Sequence, residues 1–149
     1  MPRYVVRIRT SIPATEAFGY TANLTNLTEW DPGVDSAKQV VGDGAGPSAA
    51  YDVTIKLPFR TMTLRYETVA FDDRAHTMTV IAKNALMTSK DTISVEADGA
   101  DSIVTYDAEL KLNGLLGLGN PLLGLAFNQI GDRAAAGLVK ALSGERVAH

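Results

Sequence analysis

Residues 3–12 alternate between the two faces of an extended chain. Tyr4, Val6 and Ile8 face one way, and Arg7 and Arg9 face the other together with Val5. Successive strand side chains point to opposite faces, so the pattern predicts a strand with one buried face. Pro13 ends it and suits the first turn of a helix, where Glu16 meets the positive end of the helix dipole. Ala14, Ala17, Phe18 and Thr21 then share one side of a short helix over 14–22. Leu24, Leu27 and Trp30 mark a second over 24–30, which Asp31-Pro32-Gly33 stops.

Six further strands are predicted over 34–42, 48–57, 60–72, 76–85, 89–98 and 102–112. The turn chemistry between them includes Gly42-Asp43-Gly44-Ala45-Gly46-Pro47, Pro58, Asp72-Asp73 and Asp98-Gly99-Ala100-Asp101. Even spacing and short turns imply an antiparallel meander. The alternation puts Tyr51, Val53 and Ile55 on the apolar face, with Met62, Leu64, Tyr66 and Ala70 from the next strand. Met78, Val80, Ala82 and Asn84 follow, and then Val104, Tyr106, Ala108 and Leu110. A face of this kind needs a cover. From Pro121 to Ser143 the period becomes helical: Leu123, Phe127, Ile130, Ala134, Leu138 and Ala141 recur at steps of three and four, and Gly144 marks the stop. The expected class is α+β: a curved antiparallel seven-stranded sheet around a long C-terminal helix, with two short helices after the first strand.

Composition narrows the function. The 149 residues, 46% hydrophobic and 21% charged, fit one folded domain spanning 1–149. Net charge is -3, and Lys and Arg are scattered without a basic stripe, which argues against a nucleic-acid partner. The absence of cysteine excludes disulfides, zinc–thiolate sites and a Cys nucleophile. The N-terminal stretch reads as a strand without an apolar signal segment, so a cytoplasmic location is expected.

Between Lys111 and Asp132 runs an uncharged, Leu-rich stretch of about 20 residues, the length of a membrane span. It carries five glycines, three asparagines, a glutamine and Pro121, so no transmembrane helix is expected. Leu115-Leu116-Gly117-Leu118-Gly119 has three readings instead. It is an access gate to a cavity, part of an apolar patch over 113–127 for a partner or transient membrane contact, or plain core.

The order of elements resembles the START-like (SRPBCC), or helix-grip, superfamily. Ile12-Pro13-Ala14-Thr15-Glu16-Ala17-Phe18 is similar to the strand-to-helix junction common there, and Asn26-Leu27-Thr28-Glu29-Trp30-Asp31-Pro32 to its tryptophan-containing second helix. Ile130-Gly131-Asp132-Arg133-Ala134-Ala135-Ala136-Gly137-Leu138, after Asn120-Pro121-Leu122-Leu123, is similar to the last helix of bacterial members labelled polyketide cyclase/dehydrase and lipid transport. The resemblance covers essentially the whole chain. It implies an apolar cavity between sheet and helix, in a superfamily of lipid carriers, aromatases, cyclases and hydroxylase domains.

Fold alone does not give chemistry. His76 follows a turn and His149 is terminal, so no His-based triad or metal site is expected. The Gly42–Gly46 stretch joins two antiparallel strands and opens no helix, so it reads as a turn and not a phosphate loop. No cofactor is implied. Asp91 and Asn84 fall on the apolar face. A carboxyl in a cavity has a raised pKa and suits acid–base work; one near a strand end, in water or beside a cation, does not. Tyr51, Tyr66 and Tyr106 either orient a ligand's oxygen or are core aromatics with local partners. Trp30 either lies near the cavity end or anchors the short helices. With Met62 and Met78 from the sheet, and Leu123, Phe127 and Ile130 from the helix, these residues form the expected ligand wall.

Two functions follow. The first is a protein, monomeric or homodimeric, that holds an apolar or amphipathic small molecule such as a lipid, polyketide or isoprenoid. The second is a polyketide cyclase/aromatase-type enzyme in which Asp91, with Tyr106 or Tyr66, does acid–base work. Binding ranks first, because periodicity supports the apolar lining and no strong catalytic constellation is present. A protein-interaction module using the 113–127 patch is a third reading.

Overall fold

The computed structural model describes residues 3–57, 59–113 and 120–148, with side chains described in those ranges except at 120–125. Strand β1 (Arg3–Thr10) buries Val6, Ile8 and Thr10, the phase its alternation predicts. Helix α1 (Ala14–Ala22) buries Ala17, Phe18, Thr21 and Ala22. The second predicted helix is two pieces, a 3-10 turn over Leu24–Asn26 and helix α2 (Leu27–Trp30). Asn23 starts the turn by accepting the Thr25 N–H on its side chain at 3.1 Å.

Six long strands follow: β2 (Val34–Val41), β3 (Ala50–Leu57), β4 (Arg60–Asp72), β5 (Thr77–Lys83), β6 (Met87–Asp98) and β7 (Asp101–Leu112). Helix α3 (Asn120–Leu142) and a short β8 (Glu145–Val147) complete the chain. The described strands form one open antiparallel sheet in the order β2-β3-β4-β5-β6-β7-β1-β8. The sheet thus has eight strands where seven were expected. Three residues are too few to show an alternation, and β8 is held by pairing its Glu145, Arg146 and Val147 with β1. Register shifts in β2 and at Thr68/Ala70 in β4 mark bulges, which bend a sheet locally. The β4 bulge also reverses the phase: Ala70, expected inward, is exposed, and Phe71 turns in to meet the Phe18 ring at 5.6 Å.

α3 has 23 residues, a length of ~34 Å, and lies across the sheet against β1 and α2. No described helix is long and apolar enough to cross a membrane. The helix buries Ala135, Leu138 and Leu142, so its apolar stripe runs to Leu142 and leaves Ala141, which the spacing placed on it, exposed. At the C-terminus Ser143 takes the left-handed turn with φ of 49°. The Gly144 N–H donates to the Val139 carbonyl at 2.9 Å and the Ser143 N–H to the Lys140 carbonyl at 3.2 Å, a Schellman end. Gly144 is needed for another reason: a Cβ there would lie 2.4 Å from the Arg9 carbonyl oxygen.

The tightest crossing is between α3 and α2. A Cβ on Gly137 would lie 1.7 Å from the Trp30 carbonyl oxygen, so only glycine lets the helix approach this closely. A Cβ on Gly131 would meet the Tyr4 ring at 2.4 Å. Gly137→Ala is therefore expected to lower the thermal midpoint by roughly 10 °C or more, since the clash is with backbone and overpacking alone costs about 1–3 kcal/mol. Gly19→Ala, in α1 with nothing within 4 Å of the new Cβ, should leave the midpoint unchanged or raise it by a few degrees. Thermal unfolding of both variants beside the parent checks the pair, and equal effects would contradict the crossing.

Candidate functional site

The sheet's register places the polar groups of the apolar face in adjacent rows. Tyr66 pairs with Ala82, and Ala82 with Ser89. Alanine between them leaves the Tyr66 hydroxyl room to reach the Ser89 hydroxyl, 2.8 Å away. One row along, Asp91 pairs with Ala108 and Ile93 with Tyr106, which makes Asp91 and Tyr106 diagonal neighbours. The Tyr106 hydroxyl donates to Asp91 Oδ2 at 2.8 Å. The Trp30 ring meets Tyr106 edge-on, with centroids 5.5 Å apart.

These groups face a cavity of about 270 Å³ between the sheet and α3. Ile55, Leu57, Leu64, Met87 and Leu110 supply much of the sheet wall, and Phe127, Ile130, Ala134 and Leu138 the helix wall. Its space comes from small residues: Ala108 on the sheet and Gly131, Ala134 and Ala135 on the helix. Ile130 lines the cavity while half exposed, so it stands at the rim.

The wall contains Trp30, Tyr66, Asp91, Tyr106, Phe127 and Ile130 of the residues expected there. Four others lie elsewhere. Tyr51 is fully buried in the packed core, and its hydroxyl makes no well-formed hydrogen bond among the described residues. Met78 is buried in the same core, and Met62 packs at its margin with Sδ 4.0 Å from Asn84 Nδ2. Asn84, expected inward, lies past the end of β5 and is exposed. Its Oδ1 accepts the Leu86 and Met87 N–H groups at 2.8 and 2.9 Å, so it shapes the β5–β6 turn. The Leu123 side chain, Leu115–Gly119 and most of the 113–127 patch lie outside the described residues.

Two polar wall residues were missed. Ser89 continues the inward phase of Asp91 and Ile93 by one step, a signal present in the sequence. Asp31 reads only as a helix stop, yet it lines the cavity while its Oδ1 accepts the Gly33 N–H at 2.9 Å.

Burial raises the pKa of each titratable wall group. Desolvation dominates at Asp91, outweighs the Tyr106 hydrogen bond that opposes it, and with Asp31 and Asp107 nearby pushes the carboxyl up to about 7. Desolvation also raises Asp31, opposed by the Gly33 N–H. Tyr66 and Tyr106 are raised by burial and by the Asp91 charge, so both stay protonated at neutral pH. Asp91 and Tyr106 keep some accessible surface, and it faces the cavity.

The Asp91 shift has a definite sign. Its folded value of about 7 exceeds the unfolded carboxylate value of about 4, so the folded state holds the proton more tightly. That contribution to stability is fully present below pH ~4 and is lost as pH rises through about 7. Asp91→Asn removes the titration. Its thermal midpoint relative to the parent is expected to rise between pH 5 and pH 8.5 by about 3–6 °C, the shift ~1–2 kcal/mol produces in a domain of this size. A difference that stays flat across that range would contradict the raised value.

Comparison with known proteins agrees with this architecture. No curated protein sequence matches the chain. A protein from Thermus thermophilus is similar in structure, with a TM-score of 0.77 at 14% identity over 95% of this chain and 97% of that one. A START superfamily protein from Mycobacterium smegmatis aligns with a TM-score of 0.75 at 9% identity, over 95% and 97% of the two chains. The Zhui aromatase/cyclase from Streptomyces sp. R1128 gives 0.74 at 7% identity, over 94% and 90%. Likeness at such identities is a likeness of fold, and the fold is the helix-grip. The family model described as polyketide cyclase / dehydrase and lipid transport matches residues 1–143, and the chain belongs to that family.

Proposed function

We propose that the chain binds an apolar or amphipathic small molecule, of lipid, polyketide or isoprenoid type, in the cavity between the sheet and α3. The observation that carries this reading is the unfilled volume itself. Protein interiors pack at crystal density and leave few voids larger than a water molecule. A space of about 270 Å³ inside such a core, near the lower end of ligand-pocket volumes, supports an occupant. Its wall is apolar except for a few convergent polar groups, the composition that orients a ligand while most of its surface is desolvated. The Tyr66–Ser89 pair uses one hydroxyl proton internally and leaves the other for a ligand acceptor.

N-phenyl-1-naphthylamine, a neutral apolar fluorophore, is expected to bind with enhanced emission. Ala108→Phe, which fills the cavity from the sheet side, should weaken that binding roughly tenfold or more, because the site's volume is what binds. Far-UV circular dichroism should remain that of the parent. Binding that survives unchanged in a folded Ala108→Phe variant would exclude the cavity as the site.

One observation favours a second reading, an enzyme of the cyclase/aromatase type. A carboxyl with a pKa of about 7 can both accept and donate a proton at neutral pH, and Asp91 is held in the cavity by Tyr106. In this reading Asp91 removes a proton from a ketide chain and the neighbouring hydroxyls stabilise the enolate. Asp91→Asn should then lower turnover of a reactive polyketide mimic about 100-fold, the scale of general acid–base catalysis, while probe binding persists. Tyr106→Phe should also impair it. Equal turnover in parent and Asp91→Asn would leave the binding reading alone.

A further inference from the structure

The polar part of the cavity is lopsided in charge. Asp31 and Asp91 both line it, and among its described lining residues there is no Lys, Arg or His. The groups that face Asp91 from neighbouring elements are Tyr66 from β4, Tyr106 from β7 and Asp31 from the α2–β2 turn, which are acids or phenols, and the Asp107 charge reaches it from β7. Asp107 is tied to Arg3 at 2.6 Å on the outer face of the sheet. Arg146, which reaches the Tyr4 hydroxyl at 3.0 Å, is paired with Asp132 at 3.6 Å.

Each cavity carboxyl also has a spare oxygen. Asp31 Oδ1 takes the Gly33 N–H and Asp91 Oδ2 takes the Tyr106 hydroxyl. Among the described residues, Asp31 Oδ2 and Asp91 Oδ1 have no partner. A buried carboxyl without a counter-charge is costly, and a second one beside it adds repulsion. Proteins that retain such groups usually pair them with a cation or donor. Among its described residues the wall holds no cation to do this.

We propose that the cavity is built for an amphiphile whose polar end is a cationic hydrogen-bond donor, an alkyl- or arylammonium, held between Asp31 and Asp91 beside the Trp30–Tyr106 aromatic pair with its apolar part against the leucine-lined wall. This deepens the binding reading and rests on it. An ammonium supplies three N–H donors and no acceptor, which complements the two spare carboxyl oxygens. Its charge removes the repulsion between them, and the Trp30–Tyr106 pair puts aromatic rings, which attract cations, into the same lining. A fatty-acid headgroup would instead bring a third negative charge into the same space.

Three ten-carbon compounds separate the alternatives: decylamine, decanol and decanoate, each displacing N-phenyl-1-naphthylamine at pH 8. Decylamine is expected to bind about tenfold more tightly than decanol, with decanoate weakest, the order a buried charge pair imposes. Asp91→Asn and Asp31→Asn should each reduce the decylamine advantage about threefold or more, and leave decanol within about twofold, since the Asn amide keeps the shape without the charge. Asn at 31 also keeps the side-chain oxygen that accepts the Gly33 N–H. Comparable binding of all three compounds by the parent, or a preference for decanoate, overturns the charge preference and leaves the cavity reading standing. An advantage for decylamine that persists in both folded Asn variants also overturns it, because the selectivity then comes from surface charge. If the fluorophore itself does not bind, the cavity reading fails and this inference fails with it.

Discussion

The contact between Gly137 and the Trp30 carbonyl sets the distance on which the rest of the site depends. A long helix covering a curved sheet can be seated close at one place and held away at another. Close seating requires the backbone of α3 to touch the backbone of α2, and only a residue without Cβ permits it. A second tight seat lies under the Tyr4 ring at Gly131, and a third at the helix end, where Thr10 Oγ1 donates to the Leu142 carbonyl at 2.7 Å. From Ala135 to Leu142 the helix is packed into the core. Toward Phe127 and Ile130 it stands over the cavity. The cavity is thus the complement of a fixed crossing.

What keeps the gap from filling is a choice of small side chains where the sheet and helix face one another. Ala108 sits in a row between Asp91 and Tyr4, and Gly131, Ala134 and Ala135 line the same space from the helix. Larger residues there would supply the dispersion contacts that a core normally maximises. Elsewhere the same sheet face is dense: Ile8, Met78, Val80, Ile93 and Val104 are essentially inaccessible. Loose packing is confined to one end of the apolar face and coincides with its polar groups. The outer face contributes mainly exposed ion pairs such as Arg3–Asp107, Arg7–Glu96 and Arg65–Asp52, whose individual effect on stability is small.

Much of this was legible in the sequence, because a half-buried strand must alternate and a covering helix must carry a stripe. That logic placed Tyr66, Asp91 and Tyr106 on one face and predicted the order of elements. It failed where the period breaks. The bulge at Thr68/Ala70 exchanges Ala70 for Phe71, and no residue type there announces it. Asn84 kept its inward phase on paper, but β5 ends at Lys83 and the side chain satisfies turn N–H groups instead. Tyr51 and Met78 are inward but lie under the packed end, a distinction along the strand that a two-fold period cannot express. Asp31 shows the opposite failure. Its local role as an Asx turn is complete in itself, so nothing in the sequence pattern asks for a second role on the cavity wall.

The polar groups of the cavity are also unlike those of an ordinary core. A core hydroxyl or carboxyl is retained when its partners are complete, since a half-satisfied buried network is worse than an apolar one. Tyr106 meets that condition by donating to Asp91, while Tyr66 and Ser89 bond each other and keep one hydroxyl proton between them. Asp31 and Asp91 do not, for each spends one oxygen and keeps one. Water can satisfy a spare oxygen at modest cost, but a space of this size walled by leucine, isoleucine and aromatic rings is a poor host for ordered water beyond the polar corner. The two carboxyls therefore oppose the close packing around them. Stability gives no reason to keep an acid at Asp91, and at Asp31 an asparagine would serve the turn as well, which leaves the space they face, and what fills it, as the reason both are acids.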